Sequence, residues 1–122
     1  MKILIPPSEG KAKIKKPQDI LFQNTKFIYE KHVNQVVRLL NLIDNEDLRS
    51  IYGTSQEKSE RFHRQNEDIF NSRCDYAIKR YTGVVYEHLD WYSLNDAGKQ
   101  YMEKHVYIFS GLFGMTTPLT LI

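Results

Sequence analysis

Two short apolar runs, one near each end of the chain, limit what it can fold into. Each runs directly into a corner of small residues. Near the start, Lys2-Ile3-Leu4-Ile5 is apolar on both sides, as a central parallel strand is, and Pro6-Pro7 stops it. Near the end, Val106-Tyr107-Ile108-Phe109 reads as a buried strand and enters Ser110-Gly111-Leu112-Phe113-Gly114. Glycine has no Cβ, so a backbone or a ligand can come close to such a corner. Two strands alone do not make a stable sheet, so a pair formed here must recruit further strands from elsewhere.

The stretch between them reads as helical. Val33, Val36, Val37 and Leu40 form one apolar face. Asp44 is placed to cap a short helix through Leu48, Ile51 and Tyr52, with Gly53 as its stop. Thr54-x-x-Glu57 has capping-box spacing for a helix carrying Lys58, Arg61, Phe62 and Arg64. Ser72-x-x-Asp75 opens another with Ala77, Ile78 and Tyr81; Gly83 interrupts it, and residues 84–89 resume as a short helical turn. Ser93-x-x-Asp96 begins a last helix through Tyr101 and Met102. Residues 12–22 have no period and read as irregular. The pattern predicts an α/β (α+β) chain with parallel strands at its ends and several helices between.

At 122 residues the chain is one domain, 1–122, or part of one. Its 41% hydrophobic and 26% charged residues describe a soluble globular protein. No apolar run approaches the length of a membrane span, and the apolar start is too short for a signal peptide. The single cysteine, Cys74, cannot form an internal disulfide. These features place the chain in the cytoplasm. Charge is uneven: Lys2, Lys11, Lys13, Lys15 and Lys16 against Glu9 give residues 1–16 a net +4, within a whole-chain net charge of +2. A basic segment on a near-neutral body suits a polyanion, or is simply a solvated loop.

Four groupings carry possible chemistry. The loop Pro6-Pro7-Ser8-Glu9-Gly10-Lys11 follows a strand, where open α/β sheets bind ligands, but lacks P-loop spacing. Ser110-Gly111 resembles a nucleophile elbow only loosely, since the glycine two residues before the serine is missing. Residues 78–86, with Lys79, Arg80, Gly83 and Tyr86, have the order of a helix-hairpin-helix, whose N–H groups hold phosphate; Val85 stands where that motif has its second glycine. Arg61 and Arg64 lie one turn apart on one helix, able to contact phosphates or merely solvated. No cysteine–histidine spacing suits a metal, so neither a metal nor a cofactor is expected.

Taken together and in order, Met1 through Lys11, Glu60-Arg61-Phe62, Tyr81 through Tyr86, and Ile108 through Gly114 with Pro118 resemble the YaaA-type peroxide-stress family. The start resembles the branch that uses Pro-Pro-Ser-Glu-Gly-Lys in place of Ser-Pro-Ala-Lys-Thr. The resemblance implies a cytoplasmic bacterial protein with an unusual α/β fold, a basic cleft and a helix-hairpin-helix. It also implies binding of double-stranded and branched DNA, and protection when peroxide and iron coexist. Carried onto this chain, the cleft residues are Ser8, Glu9, Lys11, Arg61, Gly83, Tyr86, Ser110 and Gly111. The family usually follows Ser-Gly-Leu-Phe-Gly with Leu-Arg-Pro-x-Asp; here Thr116 to Thr120 lack both charges. A later Tyr-Arg-Leu-Glu-like motif is missing, so the chain resembles the N-terminal half of the family domain, as a truncated product or a shifted frame would.

The expected function is sequence-independent DNA binding in the oxidative-stress response, with Lys11, Lys13, Arg61, Arg64, Lys79 and Arg80 on phosphates. No catalytic residue is assigned. The alternatives are an enzyme doing acid/base chemistry on a nucleotide-like or phosphorylated ligand, and an inactive fragment. Such a fragment needs the missing C-terminal half, or self-association, to cover its apolar surface. Either site requires the two small-residue corners to share one hollow.

Overall fold

The structure is a computed structural model and describes residues 1–16 and 18–122. Pro17, inside the segment read as irregular, lies outside the described residues. Among those residues the chain is α+β, with six α-helices and a three-stranded sheet. The strands are β1 (Ile3–Ile5), β2 (Val106–Ser110) and β3 (Gly114–Thr116). The helices are α1 (Glu30–Leu40), α2 (Leu48–Tyr52), α3 (Gln56–Glu67), α4 (Ala77–Arg80), α5 (Val84–Leu89) and α6 (Asp96–His105).

The two end strands are neighbours. β1 pairs with β2 in parallel, Ile3 opposite Val106 and Ile5 opposite Ile108. The third strand comes from the residues just past the Ser-Gly corner. β3 folds back antiparallel on β2, Ser110 opposite Gly114 and Ile108 opposite Thr116. Two local devices make this hairpin. Ser110 Oγ accepts hydrogen bonds from the Leu112 and Phe113 N–H groups at 3.2 and 3.1 Å. Gly114 takes φ +70°, the left-handed region that glycine enters without strain.

Alternation sorts the sheet residues between its faces. Val106 and Ile108 point inward and are buried, Ile108 in a core with Phe22, Phe27, Val33, Val37, Ile69, Ala77 and Phe113. Phe22 is the hub, its ring 5.3, 5.5 and 5.6 Å from those of Phe27, Phe70 and Phe113. Each such side chain taken from water stabilises the fold by about 1.5–3 kcal/mol. The other sheet face carries Leu4, Phe109 and Met115, which are 64%, 49% and 40% exposed.

The helix starts differ in detail from the sequence reading. α3 is capped by Ser55, one residue later than Thr54; its side chain accepts from the Lys58 N–H. α6 is capped by Asn95, which accepts from the Gly98 N–H at 2.8 Å, whereas the Ser93 hydroxyl donates back to the Asp90 carbonyl. Ser72 opens no helix: α4 begins at Ala77, after a stretch that bridges to Leu21 through Arg73 and to Leu121 through Tyr76. Asp44 stands before a 3-10 turn, Asn45–Asp47, without a side-chain cap, and α2 follows. Gly53 ends α2 at φ +64°, as read.

Candidate functional site

Parallel pairing puts the carboxyl ends of β1 and β2 on one edge. The loop after β1 and the corner after β2 therefore meet. Ser8, Glu9 and Lys11 from the first, and Ser110 and Gly111 from the second, line one cleft of about 410 Å³. Its far wall is α2 and α3, through Tyr52, Phe62, Gln65 and Asn66, and its floor includes Tyr81.

The Ser8 loop is tied down by hydrogen bonds. Ser8 Oγ donates to the Gly10 carbonyl at 2.6 Å and accepts from the Thr82 N–H at 2.9 Å. The Tyr86 hydroxyl donates to the Pro6 carbonyl at 2.6 Å, and the Ala12 N–H to the Arg80 carbonyl at 2.7 Å. Tyr86 stacks on Tyr81, ring centres 5.6 Å apart. Burial pushes the Tyr86 hydroxyl well above the ordinary tyrosine range, with the neighbouring Tyr81 adding to it. Both serine oxygens are thus engaged by backbone groups, and they build the corners.

Tyr52 on the far wall belongs to a chain of polar groups. Its hydroxyl accepts from Asn66 Nδ2 at 3.1 Å and sits 3.4 Å from Nδ1 of buried His63. His63 Nε2 is 3.3 Å from a Glu67 carboxylate oxygen. Asn66 carries no signal in the sequence, and His63 is one of four scattered histidines there, between Arg61 and Arg64.

The cations divide into three places. Lys11, Lys13 and Arg61 line an open groove of about 430 Å³ beside the cleft, with Lys58 as a fourth cation and Glu9 as the one carboxylate. Arg64 is exposed but does not line this groove, because it lies around α3 on the other side of Arg61 from Lys58 and Gln65. Lys58 and Gln65, three before and four after Arg61, are the α3 residues that line the groove beside it, with Phe62. Lys79, Gly83 and Tyr86 line a separate hollow of about 260 Å³, together with Glu87 and Asp90. Arg80 turns inward, its Nη1 donating to the Ala12 carbonyl.

Cys74 is fully buried in the core, and burial pushes its thiol up. Among the described residues no group of three histidine, cysteine or acidic side chains is placed to hold a metal ion. No helix among them is long and apolar enough to cross a membrane.

Fold and cleft define a small α+β protein whose two parallel strands end in a shared, cation-edged hollow. Comparison with known proteins gives the family. The profile described as Peroxide stress protein YaaA matches residues 1–122, and the chain belongs to that family. A UPF0246 protein of Finegoldia magna is 30% identical over 120 residues, covering 97% of this chain and 47% of that protein. An uncharacterised protein of Campylobacter jejuni is 30% identical over 124 residues, covering 94% and 48%. A UPF0246 protein of Francisella tularensis is 25% identical over 125 residues, covering 98% and 49%. The chain therefore spans about half the length of the curated relatives it matches.

Proposed function

We propose that this chain carries a polyanion-binding part of a cytoplasmic peroxide-stress protein, holding the phosphate backbone of double-stranded or branched DNA without reading its bases. One observation carries the reading. Lys11, Lys13, Lys58 and Arg61 line a single open groove against one carboxylate, Glu9. Cations on two different elements, facing one channel, supply a sequence-independent attraction to phosphate.

The turn at Gly83 has the helix–turn–helix order of the hairpin motif, between α4 and α5. Its Thr82 N–H is already bonded to Ser8, and the hollow beside it carries Glu87 and Asp90. Its part in the proposal is to hold the Ser8 loop at the groove, leaving the phosphates to the lysines and Arg61.

Fluorescence polarisation with duplex and branched DNA tests this. Affinity is expected to fall linearly on a log–log plot as salt rises, with little dependence on base sequence. Removing Arg61 lowers the slope by about one phosphate's worth. An affinity that stays flat across salt overturns the reading.

A second inference rests on the sheet. The register aligns Leu4 with Tyr107 and Phe109 with Met115 on the outer face, an apolar surface left about half exposed among the described residues. The relatives carry about as much chain again as is matched here. We infer that the part of the family domain outside the matched half packs on this face.

A further inference from the structure

The inner end of the cleft holds cations that form no salt bridge among the described residues. Lys11, Gln65 and Asn66 line both the main cleft and a narrower hollow of about 140 Å³ behind it, which also has Arg80 and Phe113 in its wall. Among the described residues the ion pair found is His63 with Glu67, so neither Lys11 nor Arg80 has a carboxylate partner. Asp75 acts on Arg80 from a distance, and its own Oδ1 accepts the Tyr76 N–H.

Two buried polar groups here have no hydrogen-bond partner: Arg80 Nε and the Tyr81 hydroxyl. Tyr81 is only 4% exposed. Ser110, on the wall of the same cleft, is the side chain that favours the Tyr81 phenolate, but its Oγ already accepts from the Leu112 and Phe113 N–H groups. An unmade bond at a buried donor costs about 1–3 kcal/mol; Arg80 borders the inner hollow, Tyr81 borders the main cleft, and Lys11 lines both. Burial and the adjacent Arg80 hold the Lys11 ammonium below its ordinary value, and burial lowers Arg80 as well. An anion between them relieves both.

We propose that this inner end is a binding site for a compact oxyanion of the phosphate class, either free or as the phosphoryl group of a small metabolite. Lys11 Nζ supplies the charge, Arg80 Nε and the Tyr81 hydroxyl supply directed donors, and the Gln65 and Asn66 amides close the outer side. The hollow is too narrow for a duplex, so the site is distinct from the groove of Lys13, Lys58 and Arg61, with Lys11 and Gln65 lining both.

Calorimetric titration of the chain with inorganic phosphate, and in parallel with adenosine monophosphate, tests it, sodium chloride holding ionic strength constant. Saturable binding of either probe is expected, with a rise in melting temperature that follows its concentration. Tighter binding of the nucleotide identifies a phosphorylated metabolite as the source; equal or weaker binding identifies the free anion. Tyr81→Phe keeps the ring in the core and removes only the donor, and is expected to weaken binding about tenfold, as losing a hydrogen bond to a charged group does. Lys11→Gln is expected to weaken it further. Lys58→Ala is expected to lower DNA affinity and leave phosphate binding intact, so the two sites fail separately. No saturable binding of either probe, or Tyr81→Phe and Lys11→Gln binding as the unaltered chain does, overturns the proposal.

Discussion

Tyr52 and Tyr81 line the cleft, and Tyr86 stacks on Tyr81 from the neighbouring hollow. Burial raises the hydroxyls of Tyr52, Tyr81 and Tyr86 above the ordinary value of 10.0. Folding therefore favours the protonated phenol. As pH rises past 10.0 the unfolded chain gives up these protons first, so stability present below that pH is lost above it. Lys11, lowered from 10.5, acts in the opposite sense: its unfavourable charge is shed as pH climbs. With three phenols and the Cys74 thiol raised against Lys11 and Arg80 lowered, the melting temperature is expected to fall above pH 10.0, and phenolate absorbance to appear with unfolding rather than before it. A flat melting temperature across that range contradicts the burial of these hydroxyls. None of this was legible in the sequence, where Tyr81 reads simply as a core residue. A tyrosine's burial is settled by what packs over it, here Tyr86 and the Ser8 loop.

Secondary-structure elements were legible where a pattern repeats and illegible where a single contact decides. The apolar stripe of α1 and both end strands follow from periodicity, and Val33 and Val37 are buried as that stripe requires. Each helix start, by contrast, depends on which of several neighbouring polar side chains turns toward the backbone. Ser55 and Asn95 do so, while Thr54 and Ser93 do not provide the caps. β3 carries no alternation of its own and exists because the Ser110 turn aims it at β2. The junction of α4 and α5 gives a direct test. Gly83 has φ +101° and ψ 179°, a region that side-chain-bearing residues avoid. A Cβ there would meet nothing within 4 Å, so crowding adds no cost. Gly83→Ala is expected to lose about 1–3 kcal/mol in denaturant unfolding from backbone strain alone. A loss near zero shows that the junction can relax.

At the scale of the molecule, the expectation that the two small-residue corners share a hollow agrees with the parallel pairing, which brings Ser8 and Ser110 into one cleft. The sequence could place the corners at strand ends, but the distribution of cations depends on helix rotation, and Arg64 and Arg80 turn elsewhere. The outer sheet face makes the remaining prediction. The chain by itself is expected to bind a hydrophobic dye, and the unmatched part of the Finegoldia magna relative, supplied as a separate polypeptide, to co-elute with it and displace the dye. Phe109→Lys, at a half-exposed position, is expected to abolish both while leaving the core folded. A chain that neither takes up dye nor co-elutes removes that face from the assembly.

The pairing of β1 with β2 also sets a timetable. Ile3 leaves the ribosome early, and its partner Val106 follows only about a hundred residues later. At roughly 5–20 residues per second, the nascent β1 has no partner strand for on the order of ten seconds. Vectorial synthesis thus delivers α1 to α6 before this sheet can close, and the cleft forms only after those helices have emerged.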